Sequence, residues 1–168
     1  MAITADTKDW TWVLERPCPE CGFDASSAEP GRAGDEVRAM VPRWRVVLAR
    51  PEVRDRPDES TWSPLEYACH VRDVLELFAE RLQLIREHHD PLFGNWDQDE
   101  TAEQYGAADP GEVADQIEAG AEHFAAEVAV VENWDRIGRR SNGSLFTASS
   151  LTRYGLHDLV HHLWDVRG

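Results

Sequence analysis

Between Ser63 and Glu87 the chain carries one uninterrupted helical pattern, and this constrains the fold more than any other feature. Ser63-Pro64-Leu65-Glu66 has the composition of a helix start. The serine caps, the proline needs no N–H at the first helical position, and the glutamate reaches back from three residues on. Tyr67, Val71, Val74, Phe78, Leu82 and Ile85 then return every three or four residues until His88-His89-Asp90-Pro91 ends the run. A stripe of about six turns has to be buried against other helices.

Three further segments supply those partners. Val37, Met40, Val41, Trp44, Val47 and Leu48 predict a first helix from Asp35 to about Arg50, kinked at Pro42. Asp109-Pro110-Gly111-Glu112 repeats the cap, proline and glutamate logic ahead of Val113, Ile117, Gly120, Phe124, Val128 and Val131. Residues 135–148, centred on Ser141-Asn142-Gly143, predict a turn or short hairpin, after which Ser149 and Ser150 offer caps for a last helix from about Leu151 to Val166. Residues 91–109 lack a period and read as a long crossover loop, and residues 1–32 as an irregular arm. The expected architecture is all-α: an N-terminal arm (1–32) followed by a four-helix bundle with long crossover loops (33–168).

With 168 residues, 42% of them hydrophobic, the chain has enough apolar material for one sizeable core. No run approaches the roughly 20 apolar residues of a membrane span, and Asp6, Lys8 and Asp9 beside Trp10 and Trp12 do not form the apolar stretch of a signal peptide. Three cysteines, an odd number, do not suggest a disulfide framework. A cytoplasmic protein without a membrane partner is expected. Aspartate and glutamate number 32 against 17 lysines and arginines, and a net charge of −15 repels nucleic acid. From Glu87 to Asp135 there are 14 carboxylates and no lysine or arginine, which reads as a solvated face.

The chemistry concentrates in histidine. His157 and His161 lie four residues apart on the last helix, on one face and about one turn from each other, a spacing that suits one metal ion. A third ligand must come from another helix, and His70 is the one histidine in the interior of a predicted helix outside that pair. His162 points about 100° away from His161 and reads as a packing or surface residue. Spacing alone leaves a second reading open, in which these are core or surface histidines bonded to carboxylates such as Asp73 and Asp165. Cys18 and Cys21 have zinc-knuckle spacing, and Gly22 suits the tight turn, but a structural site needs four ligands. Cys69, beside His70 on a helix, reads as a small core residue. Asp97 and Asp99 on the crossover loop are candidates for a base or an orienting group at the metal's open face.

Tyr67-Ala68-Cys69-His70-Val71-Arg72-Asp73, followed by His157-Asp158-Leu159-Val160-His161-His162 in the last helix, resembles the DinB-like (YfiT-like) superfamily of metal-dependent four-helix bundles over most of residues 33–166. The resemblance implies a divalent transition metal, zinc or nickel foremost, on His70, His157 and His161. Relatives in that family include mycothiol-dependent maleylpyruvate isomerase and bacillithiol-dependent transferases. The resemblance therefore implies a small-molecule substrate and a low-molecular-weight thiol as cosubstrate; the sequence itself leaves open whether the chain forms a homodimer. Three neutral imidazoles would leave the ion's charge intact and a position open for a thiol or a water. The competing readings are a metal-dependent hydrolase, a non-catalytic metal- or ligand-binding module closed by a fourth ligand such as Asp97, and a metal-free interaction protein using its seven tryptophans. The cysteine-bearing arm and Trp96-Asp97-Gln98-Asp99-Glu100 depart from the family pattern.

Overall fold

The computed structural model of the protein describes residues 9–94 and 96–168, with the side chain of Asp99 outside the described part. Its helices are α1 (Ala33–Leu48), α2 (Pro64–Glu87), the one-turn α3 (Gln98–Ala102), α4 (Pro110–Ala129) and α5 (Ala148–Asp165). Three of the long helices start on side-chain caps that occupy otherwise free N–H groups. Ser63 accepts from the Glu66 N–H and donates its own N–H to Glu66 Oε2, closing the capping box expected for α2. Asp109 accepts from the Glu112 N–H at α4. On α5 the cap is Thr147, paired reciprocally with Ser150, so this helix begins earlier than Ser149 and Ser150 suggested. Pro42 lies inside α1 without ending it.

The chain is a four-helix bundle. α1 packs on α4, α4 on α2, α2 on α5, and α5 closes the ring on α1. Consecutive helices α1 and α2 therefore sit across the core from each other, and the connection between them, residues 49–63, has to span the end of the bundle. Trp44, Leu75, Ile117, Phe124, Leu156 and Leu159 fill the centre. Among the described residues no helix is long and apolar enough to cross a membrane. The acidic stretch lies largely in solvent and part of it pairs with α1: Arg38 with Glu122 at 2.9 Å, and Arg45 with Asp115 and Glu118.

The crossover expected to lack regular structure contains some. β1 (Leu92–Phe93) pairs in parallel with β2 (Ile137–Arg140), which pairs antiparallel with β3 (Leu145–Thr147) across the expected hairpin turn. α3 and a 3-10 turn at Tyr105–Ala107 follow β1. A two-residue strand and a one-turn helix are too short to leave a period in sequence. In the described part of the arm a 3-10 turn (Thr11–Leu14) lies against α5, and Val13 and Cys18 are buried.

One glycine sets how closely α5 approaches α2. A Cβ on Gly155 would stand 2.6 Å from the Phe78 ring. Gly155→Val should cost about 3 kcal/mol through overpacking. Urea unfolding measures it, and an unchanged midpoint would mean that the crossing tolerates a side chain.

Candidate metal centre

α5 presents two neighbouring stripes of polar chemistry. His157 and His161 lie one turn apart on the first, and Asp158 and His162 one turn apart on the second, rotated by about 100°. The second stripe meets α2 at His70, a side chain only 3% exposed. The His70 ring stacks on Trp96 at 5.3 Å, packs against Trp62 at 5.3 Å and meets His162 edge-on at 4.7 Å. Its Nε2 lies 3.7 Å from Asp158 Oδ2, and His162 Nε2 lies 3.3 Å from Asp158 Oδ1. On its far side His162 Nδ1 donates to Asp165 Oδ2 at 2.9 Å, which fixes the ring with Nε2 turned toward Asp158.

Burial and charge set different protonation states in this cluster. Burial opposes a charged His162, but Asp158 and then Asp165 outweigh it and push the imidazole up to about 9. Burial also opposes ionisation of Asp158, yet His162 and His70 hold its carboxyl well below the usual range. For His70 burial dominates and lowers the pKa, keeping the ring neutral at pH 7.

The cluster forms part of the wall of a cavity of about 390 Å³. Two cations, Arg81 and Arg140, share that wall. Arg81 is buried and donates to the Gly94 carbonyl at 3.2 Å; burial, then the charge of Arg140, brings its pKa down to about 10. Arg140 Nε is buried with no partner among the described residues.

The first stripe faces the arm, where Cys18, Cys21, His157 and His161 bring one donor atom each within 4.8 Å of one another. The Cys18 N–H donates to the Phe23 carbonyl at 2.8 Å and the Gly22 N–H to the Cys18 carbonyl at 2.9 Å. Gly22 adopts φ +76°, a backbone state that suits glycine. His161 Nδ1 lies 3.6 Å from Cys18 Sγ, and His157 Nε2 is buried with no partner among the described residues. Trp10 lies over both rings, with centroids at 6.1 Å from His157 and 5.5 Å from His161. Burial lowers His157 to about 4 and raises the Cys21 thiol to about 11.

Comparison with known proteins agrees with this architecture. The family model of the DinB superfamily matches residues 33–166. The chain belongs to the DinB superfamily. Among solved structures it is similar to YfiT from Bacillus subtilis, described as a probable metal-dependent hydrolase with an unusual four-helix bundle topology. The TM-score is 0.68 at 16% identity, over 80% of this chain and 81% of the other. No curated protein sequence matches.

In this DinB-superfamily protein the three histidines singled out from sequence fall into two groups. His70 joins Asp158 and His162, whereas His157 and His161 join the cysteines of the arm. The step of one residue from His161 to His162 decides this, because it turns the side chain to the neighbouring face of α5. His162, read from sequence as a packing or surface residue, and Asp158 thus replace the His157 and His161 pair beside His70. A periodic signal was present, since Asp158 and His162 have the same four-residue spacing. Asp97 is exposed and caps α3, accepting from the Glu100 N–H at 3.1 Å; the cavity wall is formed by its neighbours Trp96 and Gln98. The Asp99 side chain lies outside the described residues. Cys69 is a core residue, as expected, with its thiol against the Tyr105 carbonyl at 3.8 Å and raised by burial to about 11.

The residues present fit a divalent ion. Bonds of roughly 2.0–2.1 Å at tetrahedral angles separate ligand atoms by about 3.4 Å. His162 Nε2 is 3.3 Å from Asp158 Oδ1, close to that value, His70 Nε2 is 3.7 Å from the other oxygen, Oδ2, and one donor atom from each of the three residues lies within 4.8 Å of the others. The hydrogen bond from His162 to Asp165 is the outer carboxylate partner that metal-binding imidazoles use.

Proposed function

We propose that this chain is a metal-dependent enzyme in which His70, Asp158 and His162 hold one divalent ion that activates a low-molecular-weight thiol for attack on a small, anionic, electrophilic substrate. The observation that carries this reading is a three-ligand cluster on the wall of a 390 Å³ cavity, since three protein ligands leave a coordination position open to that space. When bound, the ion supplies Lewis acidity, which lets a thiol on its open side lose its proton at neutral pH. A thiol is favoured over water because Asp158 offsets part of the ion's charge, and a thiol at about 8.5 has far less far to fall than water at about 15.7.

The chain's own residues do the rest. Trp62 and Trp96 hold His70 in one orientation, and Asp165 holds His162. Arg81 and Arg140 place positive charge on the wall of a cavity in an otherwise acidic protein, which orients a carboxylate or comparable anion toward the centre. Arg81→Gln should therefore raise KM for an anionic substrate by about tenfold, with a smaller change for an uncharged analogue. Equal KM values for the variant and the parent would remove the arginine from substrate binding.

The description of YfiT favours a second reading, metal-dependent hydrolysis, with water in place of the thiol. Metal-loaded protein offered a carboxylate-bearing conjugated electrophile and a panel of small thiols separates the two. Thiol-dependent consumption with formation of a thioether or an isomer supports transfer, and consumption at the same rate without thiol supports hydrolysis. No metal dependence in either assay would overturn the proposal.

A further inference from the structure

We infer that Cys18, Cys21, His157 and His161 form a second metal site, a closed Cys2His2 zinc centre that fastens the N-terminal arm to α5. Four donors from two separate elements converge within 4.8 Å, which completes the ligand count that the cysteine pair alone lacks. The sulfur-to-nitrogen spacing between arm and helix fits zinc. Tetrahedral bonds of roughly 2.3 Å to sulfur and 2.0–2.1 Å to nitrogen set those atoms about 3.6 Å apart. Cys18 Sγ and His161 Nδ1 are 3.6 Å apart.

The polar accounting points the same way. His157 Nε2 is buried with no partner among the described residues, a state that coordination relieves. The turn that presents the two thiols is fixed by backbone hydrogen bonds at Cys18 and Gly22 and by the positive φ of Gly22. Thiolates with imidazoles select zinc over harder cations. Four protein ligands leave no open position, in contrast to the three at His70, so this site is structural. Binding displaces one proton from each thiol to solvent, and no redox change is involved.

Among its described residues the arm has no long helix or strand to hold it, yet it places Trp10 and Glu20 on the wall of the cavity. Glu20 Oε2 lies 3.6 Å from His161 Nε2, and Asp165, which orients His162, has its other oxygen 3.7 Å from the same atom. A zinc ion here therefore shapes one side of the open centre without taking part in its chemistry.

Zinc analysis of the full-length protein, purified without a metal-affinity tag and resupplied with zinc, tests the site. Two equivalents per chain are expected, falling to one in Cys18→Ser/Cys21→Ser and to one in His70→Ala. Cobalt substitution of the otherwise intact His70→Ala protein should give the thiolate-to-cobalt charge-transfer absorption of a tetrahedral sulfur site. X-ray absorption at the zinc edge of the same variant should give two sulfur and two nitrogen neighbours. These two measurements keep both cysteines in place, so they do not depend on whether the serine variant folds. Two zinc ions retained by the serine variant, or a metal-loaded His70→Ala protein without sulfur ligation, would overturn the site. One zinc in the parent protein, sulfur-ligated and unaffected by His70→Ala, would support this site while removing the open one.

Discussion

His162→Ala is expected to remove the ion of the open centre and lower metal-dependent turnover by about a hundredfold or more, whereas His161→Ala should leave that ion in place. The two residues are adjacent on the same helix, and both replacements favour helix slightly, so helix formation does not separate them. Side-chain direction does. His162 Nε2 is the atom 3.3 Å from Asp158 on the cavity side, while His161 Nδ1 faces Cys18. Losing a ligand costs at least as much as losing the outer partner of one, for which 10- to 100-fold is typical. His162→Ala also leaves the half-buried Asp158 without its strongest counter-charge, so thermal stability should fall, with far-ultraviolet circular dichroism used to show that helicity persists. Metal content and kcat/KM of the two variants decide the matter. Turnover lost with His161 and kept without His162 would restore the three-histidine arrangement expected from sequence.

The bundle was legible because its signals are local. The Ser63 and Asp109 caps and the stripes of α1, α2, α4 and α5 can each be read within a few turns of chain, and the structure places all of them. The resemblance to the DinB-like family rested on histidine order and survives in the family match. The register of the site was not legible, for a physical reason. His157/His161 and Asp158/His162 are two four-residue pairs on adjacent faces of one helix, and only tertiary packing shows which face meets His70. The grouping at the arm was hidden similarly: Cys18 and Cys21 have zinc-knuckle spacing, but the two histidines that the fold brings beside them lie more than 130 residues away on α5. Asp97 was a reasonable candidate in sequence because a loop carboxylate can cap a helix or face a site, and here it caps.

Metal affinity at the open centre is expected to rise about tenfold per pH unit between pH 7 and 9, roughly a hundredfold in all, and then to level off. In the metal-free protein His162 titrates at about 9, so at pH 7 it carries a proton that must leave before Nε2 can coordinate. His70 is already neutral over this range and Asp158 already ionised, so the linkage amounts to one proton per ion. The sign for stability is opposite. A raised pKa means that the stabilisation from the His162 and Asp158 pair is fully present below the ordinary histidine value of about 6.5 and is lost as pH rises through about 9. Metal-free protein should therefore melt lower at pH 9 than at pH 7, while the thermal shift produced by a fixed free metal concentration should grow. Calorimetric titration of the Cys18→Ser/Cys21→Ser protein with chelator-buffered zinc, in buffers of different ionisation enthalpy, isolates the open centre from thiol protons. Release of close to one proton at pH 7 is the expected result, and an affinity flat from pH 7 to 9 would show that His162 is not a ligand.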